Sequence, residues 1–569
     1  MTAVSGELRY ILELVSTMAG TGAFTPIPEG RPELAVVLDR LQSCPQDSFL
    51  HRYALEMLAG RSAGERAEML EAVSDQDSVL QALLAELALL EAEPSRPSDG
   101  PGADDIQQRL SSASPLVLLR HGRLKDRAIH AQWSALMAAN LQNHRPLPGD
   151  ERRPCLPAFE SGKAAMGRHI GLGDIPPALD PPCAPPVSLD QTIETALARL
   201  GGAGILVSAE MRHEASLSPV GLMRQWRFQR RVSSRALAYR LGGFQTAYGR
   251  GFSLEAARAA YLMEIVERFS AYGEFESEAV LGHRRSTPLV RASLEDMHGH
   301  ARPALDPNGL LLEAPYENEP IYWRPAELVD AQGRSEIWVP AQFVYLFCNL
   351  DEPDLFSALG STGLGAGNTL VQARLAALLE IIERDAEAIT PFDPASCFTV
   401  ESTDPYLQSL LQHYRQCGIH VQFQDLTTEL GVPCYKCFVV GSDGQIAKGT
   451  GAHPQGRRAL LSALTETMYP YPNGPVSKPG LEALPMKIIE DLPDHSLGSD
   501  EADLERLERL SNANGFQVIY ADLTREDLDL PVVRALVPGL ALMADYDRFT
   551  RLNPRLIKRL VRCSNPVNG

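Results

Sequence analysis

No run of 18 or more apolar residues occurs in this 569-residue chain, and its opening, Met1-Thr-Ala-Val-Ser-Gly-Glu7, lacks the basic-then-apolar order of a secretory signal. A membrane-spanning helix is thereby excluded, and a cytoplasmic protein is expected. Positive charge is in short supply. The 53 Lys and Arg against 72 Asp and Glu leave a formal net charge of −19, which argues against a generic binder of nucleic-acid backbones. Cysteine is sparse as well: nine are scattered along the chain, an odd number that does not suggest a disulfide framework. The one C-x-x-C, Cys434-Tyr-Lys-Cys437, has no second pair to complete a zinc site, and it lies in a strand-like run where residues three apart face opposite ways. No helical H-x-x-x-H pairing occurs, so His283, His298 and His300 read as polar filler. One local exception to the acidity is Arg224, Arg227, Arg230, Arg231 and Arg235, either a solvated face or a groove for phosphates or an acidic peptide.

What the chain does have is a repeated stretch. Gly249–Arg268 and Gly365–Arg384 align without a gap and agree at about half their positions, beyond what helix composition alone gives. We read this as an internal duplication. Each copy runs from a loop with two glycines to a hydroxyl N-cap, Ser253 or Thr369, then to an apolar helix bearing Glu-x-x-Glu-Arg. The glycines permit close backbone approach to whatever lies above the helix start. On each helix the two glutamates, Glu264 with Glu267 and Glu380 with Glu383, share a face and repel one another. Something must compensate: Arg268 and Arg384 pairing with the adjacent helix, or Mg²⁺, which takes one or two carboxylates plus nucleotide phosphate oxygens.

Gly363-Leu-Gly-Ala-Gly-Asn-Thr369 followed by Glu380-x-x-Glu383-Arg384-Asp385, with the earlier Glu264-x-x-Glu267-Arg268, resembles the YcaO superfamily over about Ser188 to Tyr546. Val537-Pro-Gly-Leu540 and the turn Gly451-Ala-His-Pro454 before a helix carrying Glu466 fit the same pattern. The resemblance implies ATP and Mg²⁺ as cofactors. It assigns Thr192, Glu264, Arg268, Gly365, Gly367, Asn368, Arg384 and Arg458 to the nucleotide, and Glu264, Glu267, Gln372, Glu380 and Glu383 to the metal. No protein nucleophile is assigned, since phosphoryl transfer depends on positioning and charge neutralisation. The chain also departs from the family. Ser462, Tyr469 and Tyr471 stand where members often place Arg, Gln and Arg, with Arg457 or Arg458 available from a turn away. Gln372 replaces a frequent Glu, and Pro185-Pro186 occupies the place of a basic residue.

In chain order, residues 1–145 read as an all-helical accessory domain. Leu8, Ile11, Leu12 and Val15 form a first stripe, Asp47–Leu58 a capped helix stopped at Gly60, a longer helix opens at Ser74 and closes at Pro94, and helical pattern resumes over Ile106–Leu141. Pro94–Gly102 reads as a mobile loop, and the proline-rich residues 146–187 as an extended linker. Residues 188–546 form the YcaO-like α+β body with internal pseudo-duplication, and 547–569 a C-terminal tail. Within the body, strands are expected at Gly204–Ser208, Pro320–Trp323, Ile337–Ala341, Val421–Thr427, after Pro433, at Val518–Thr524 and after Pro531.

The resemblance implies ATP- and Mg²⁺-dependent phosphorylation of a peptide backbone amide, modifying a peptide or a ribosomal protein. The final residues, Arg562–Gly569, lack the Pro-x-Pro-x-Pro ending of azoline-forming relatives. Thioamide formation is therefore favoured, with a TfuA-like sulfur-delivery partner and a homodimer both compatible. The alternative is a non-catalytic YcaO-fold accessory factor for a methylthiotransferase or other modifying enzyme.

Overall fold

The computed structural model describes residues 8–16, 22–72, 77–92, 109–157, 169–177, 187–542 and 545–564. Among them run three sheets of eight, six and five strands. In the eight-stranded sheet, the long strands Val220–Ser234 and Leu237–Gly251 pair antiparallel over their full length. The six-stranded sheet orders Gly333–Pro340, Ile321–Asp330, Val518–Asp522, Val532–Leu536 and Leu364–Ala366, with Val290–Ala292 also paired to Ile321–Asp330. The five-stranded sheet orders Ile446–Ala452, Cys434–Val440, Gln422–Asp425, Cys397–Glu401 and Met486–Ile488. Each sheet contains a strand that leads into one helix: Leu254–Ala271 after the first, Leu370–Ile389 after the second and Gly456–Glu466 after the third. These three helices organise the body.

The same close contact sets all three. A Cβ built on Gly249 would lie 1.8 Å from the carbonyl oxygen of Ala257 and 2.8 Å from the nitrogen of Tyr261. On Gly365 it would lie 2.4 Å from Ala373 O and 2.6 Å from Ala377 N, and on Gly451 2.4 Å from Ala459 O and 2.8 Å from Ala463 N. Helix backbone fills the place of the missing side chain, so no other residue lets strand and helix approach this closely. Ser253 and Thr369 cap their helices as expected, accepting from Ala256 N at 3.1 Å and Gln372 N at 3.2 Å.

The first 145 residues are not all helical. Leu8–Ser16 and Gly22–Pro28 form an antiparallel hairpin, and Leu8–Ile11 pairs parallel with Tyr239–Gly242, which extends the eight-stranded sheet. Leu8, Ile11, Leu12 and Val15 fit helical spacing, but the residues that go inside are Tyr10 and Leu12, alternating along a strand, with Leu14 left exposed. Tyr10 and Leu12 join one hydrophobic core with Leu50, Trp226, Ile265 and Trp323, so the N-terminal residues pack into the body. The register 11↔27, 13↔25 turns Phe24, Pro26 and Pro28 toward the open edge, where two of the three have no N–H to offer a further strand.

Ser48–Ala59, capped by Asp47 and closed at Gly60, is the helix expected there. After a short helix, Ala63–Ala72, the longer one, Ser78–Glu91, is capped by Asp77. Ser74, Pro94–Gly102, Pro185 and Pro186 lie outside the described residues. Ile106 lies outside the described residues; from residue 109 the pattern resolves into helical residues 109–111, a break that contains Pro115, and the helices Leu118–Gly122 and Arg127–Asn143. The described part of the linker is docked: Leu172 is fully buried and donates to Leu430 O at 2.8 Å, and Arg506 donates to the carbonyls of Leu172 and Ile175. The expected C-terminal tail contains the helix Pro554–Ser564, whose Leu556, Ile557 and Leu560 pack against Trp133, Met137 and Ile389.

The remaining strands fall as expected, except Gly204–Ser208, where only Leu206 forms a bridge, to Trp226. Cys434 and Cys437 are buried free thiols in different core clusters, one on each face of their strand. The arginine cluster splits by alternation. Arg230 is buried and donates to the carbonyls of Phe269 and Tyr272, whereas Arg227 and Arg231 point outward, so the five do not line one groove. Among the described residues no helix is long and apolar enough to cross a membrane.

Candidate functional site

Glu264, Glu380 and Glu466 each stand fifteen residues after the glycine that seats their helix, at Gly249, Gly365 and Gly451. Equal contact geometry and equal spacing thus bring one glutamate from each helix to the same depth. Glu267 and Glu383 follow one turn later on the first two helices.

The electrostatics show that these carboxylates share one site. Withdrawal from bulk water pushes Glu267 up to about 7, and Glu380 and Glu264 add to the effect. Burial likewise raises Glu466 to about 7, with Glu380 and Glu387 contributing. Glu383 is raised well above the usual carboxylate range by burial and then by Glu466. Side chains of Glu264, Glu267, Glu380 and Glu383 keep 12 to 31% of their surface accessible, so the cluster sits deep but remains reachable.

The compensating cations are loosely placed. Arg268 lies 3.9 Å from Glu264 and 3.6 Å from Glu267 on its own helix, and Arg384 4.0 Å from Glu380 and 3.6 Å from Glu383 on its own. The expected pairing with the adjacent helix is therefore not direct, although Arg268 acts on Glu380 across the gap. Arg384 also reaches Glu387 at 3.4 Å, and Glu387 in turn accepts Lys448 at 2.6 Å. Below lies Arg534, with no exposed surface. Its Nη2 donates to Gly360 O at 2.8 Å, its Nε and Nη1 have no partner among the described residues, and burial draws it down to about 10 against the pull of Glu380 and Glu267.

Five carboxylates crowded together can keep their charge only with help: without a cation they take up protons, which is what their raised values mean, and a hard divalent cation would displace those protons. Among the described residues no group of three or more Asp, Glu, His or Cys side chains is arranged to hold a metal ion by itself. Mg²⁺ accepts one or two carboxylates and takes the rest of its octahedron from water and phosphate oxygens.

A second group adjoins the start of the second helix. Asn368 Nδ2 donates to Thr192 Oγ1 at 3.0 Å, joining residues 176 apart in sequence. Asn368 N donates to Gln372 Oε1 at 3.1 Å, and Gln372 Nε2 donates to Asp500 at 3.0 Å. Gln372 thus brings a carboxylate beside the position where the family often has one. Gly365 and Gly367 turn their empty Cβ positions onto the helix, and Gly367 N is taken by Pro531 O, so what these glycines admit on that side is helix backbone. Arg458 lines a cavity of about 590 Å³ next to Ser462, while Arg457 is engaged by Asp404 at 3.0 Å.

Reasoning from the sequence left Glu466, Arg534, Asp500 and Arg250 out of the site. Glu466 carried a signal: a third glycine-to-glutamate interval of fifteen residues. Arg534 carried a weaker one, a charge within the apolar run Val532-Val-Arg-Ala-Leu536. Asp500 has no local signature.

Comparison with known proteins places this geometry. The family model described as YcaO cyclodehydratase, ATP- and Mg²⁺-binding, matches residues 248–474 and 468–541. An uncharacterized protein of Methanothermobacter thermautotrophicus is 27% identical over 351 residues, 56% of this chain and 85% of that protein. A Rhizobium leguminosarum bv. trifolii protein described as lying in a tfuA 3′ region is 26% identical over 251 residues, 41% of this chain and 56% of that one. A solved heterocyclase in complex with substrate and cofactor matches with a TM-score of 0.50 at 20% identity, over 64% of this chain and 54% of that one, a likeness of fold. The chain spans little more than half the length of these last two.

Proposed function

Because the chain belongs to the YcaO family, whose cofactors are ATP and Mg²⁺, we propose that it activates a peptide backbone amide by ATP-dependent phosphorylation, with thioamidation as the outcome. The observation that carries this reading is the meeting of five glutamates from three helices in one cluster whose crowding raises their proton affinity. When bound, Mg²⁺ and ATP supply the phosphoryl group and neutralise the charge that develops as it moves. Of Glu264, Glu267, Glu380, Glu383 and Glu466, one or two would ligate each Mg²⁺, with phosphate oxygens and water completing its shell. Arg268 and Arg384, gripped by their own helices at 3.6–4.0 Å, are free to lengthen those contacts toward phosphate. Thr192 and Asn368 orient the nucleotide across the bond that already joins them. Gly365 and Gly367 act indirectly, by letting the second helix seat its carboxylates. An amide oxygen is a poor nucleophile, so the peptide must be held close and away from water.

Thioamidation is supported by the relative in a tfuA 3′ region, which points to a TfuA-like sulfur-delivery partner. A second reading, the accessory factor for a methylthiotransferase or other modifying enzyme, draws on Ser462 and on Gln372, whose amide is already engaged by Asn368 and Asp500. Titration with ATP in the presence and absence of Mg²⁺ separates the two: binding in the wild type that is lost in Glu380→Ala supports the enzyme, and no binding in either leaves the accessory reading standing. Mass spectrometry of a co-expressed peptide then separates exchange of oxygen for sulfur, a gain in mass, from loss of water.

A further inference from the structure

Arg250 stands between the two glycines on which the first acidic helix closes, at the end of Leu237–Gly251. Beside it opens the cavity of about 590 Å³, walled further by Phe252, Tyr406, Arg458, Leu461 and Ser462. Its Nε is buried and meets no acceptor among the described residues. A guanidinium donor removed from water and left unmet is unfavourable, and the fold keeps this one at a cavity wall. Arg458 is a second cation on the lining, and no acidic residue lines the cavity although the chain carries 72 of them. The floor adjoins the glutamate cluster: Ser462 and Thr465 precede Glu466 on the third helix, and Arg250 is among the charges that act on Glu466.

We propose that this cavity is an oxyanion site in which Arg250, together with Arg458, holds a phosphate or carboxylate group of the substrate complex. A planar guanidinium matches either group with two parallel hydrogen bonds. Phe252, Tyr406 and Leu461 complete a lining that stays open to solvent, so an anion can enter and meet both guanidinium groups. The inference rests on the phosphoryl-transfer reading only for the source of the anion, the nucleotide or the acceptor peptide.

The test uses the full chain with Arg250→Met and Arg250→Lys, and two probes: tripolyphosphate and an acetylated, amidated Gly-Glu-Gly peptide. We expect Arg250→Met to weaken one probe at least tenfold and Arg250→Lys to weaken it less. Loss of tripolyphosphate binding assigns the anion to the nucleotide, and loss of peptide binding assigns it to the acceptor. Melting temperature should hold or rise in Arg250→Met, since an unmet buried donor is removed. Losses within twofold for both probes, or a melting temperature lowered in both variants, overturn the proposal. If wild type binds no Mg²⁺·ATP while a probe still depends on Arg250, the phosphoryl-transfer reading fails and the oxyanion site remains.

Discussion

Glu466 illustrates how much a single position can hold and how little it announces. It lies on a helix whose N-cap, Gln455, makes no side-chain cap bond, so the hydroxyl-cap signature that marks the other two helices is missing. Its interval from Gly451 and the turn Gly451–Pro454 before its helix link it to Glu264 and Glu380. We expect Glu466→Gln to weaken Mg²⁺-dependent ATP binding about tenfold or more, because a neutral amide is a poorer ligand for a hard cation, and titration calorimetry will measure it. Away from the site, Lys436 is buried under the ring of Phe392, and burial, then Lys448, draws its ammonium down to about 7. The unfolded chain therefore holds a proton on this side chain between about pH 7 and 10.5 that the folded chain does not. The penalty is complete below pH 7 and fades as pH rises toward 10.5. Lys436→Met should accordingly be more stable than the parent by about 2 kcal/mol at pH 7, with the curves converging at high pH in urea titrations.

At the scale of elements, caps and turns were legible because their chemistry is local. Ser253, Thr369, Asp47 and Ser188 each accept the backbone N–H expected of them. Strands announced by proline, after Pro433 and Pro531, begin at Cys434 and Val532. Leu8–Ser16 was not legible, because its partner strand begins at Leu237 and only pairing over that distance decides which apolar residues go inside. The glycines were legible as close approaches, but what approaches is the following helix. Gly365→Ala should thus cost about 3 kcal/mol or more, since Ala373 O and Ala377 N belong to backbone that cannot yield. Gly64→Ala, exposed on the helix Ala63–Ala72 with nothing within 4 Å, should instead gain about 0.5–1 kcal/mol. Paired thermal melts distinguish the two.

Across the whole molecule, the three sheets meet through the helices they launch, and the C-terminal helix fastens the second of these. Asp385, with no exposed surface, accepts from Ala541 N at 2.9 Å and from Arg555, which also bonds Glu429 at 2.6 Å. Asp385 immediately follows Glu383-Arg384, so the last helix of the chain buttresses the acidic one. Arg555→Met should lower stability by about 3 kcal/mol by stranding a buried carboxylate, and adding Asp385→Asn should recover part of that loss in denaturant titrations. None of this was visible in the separate segments, because the partners lie 170 residues apart.

The hairpin at the start of the chain leaves the widest sheet with a rim, and rims are where copies of a protein zip together into ribbons. Pro26 and Pro28 blunt that rim at alternate positions, so a neighbouring chain finds few rungs to grasp. Edge-to-edge pairing of copies along this rim is thus disfavoured by two rings that take no part in any chemistry.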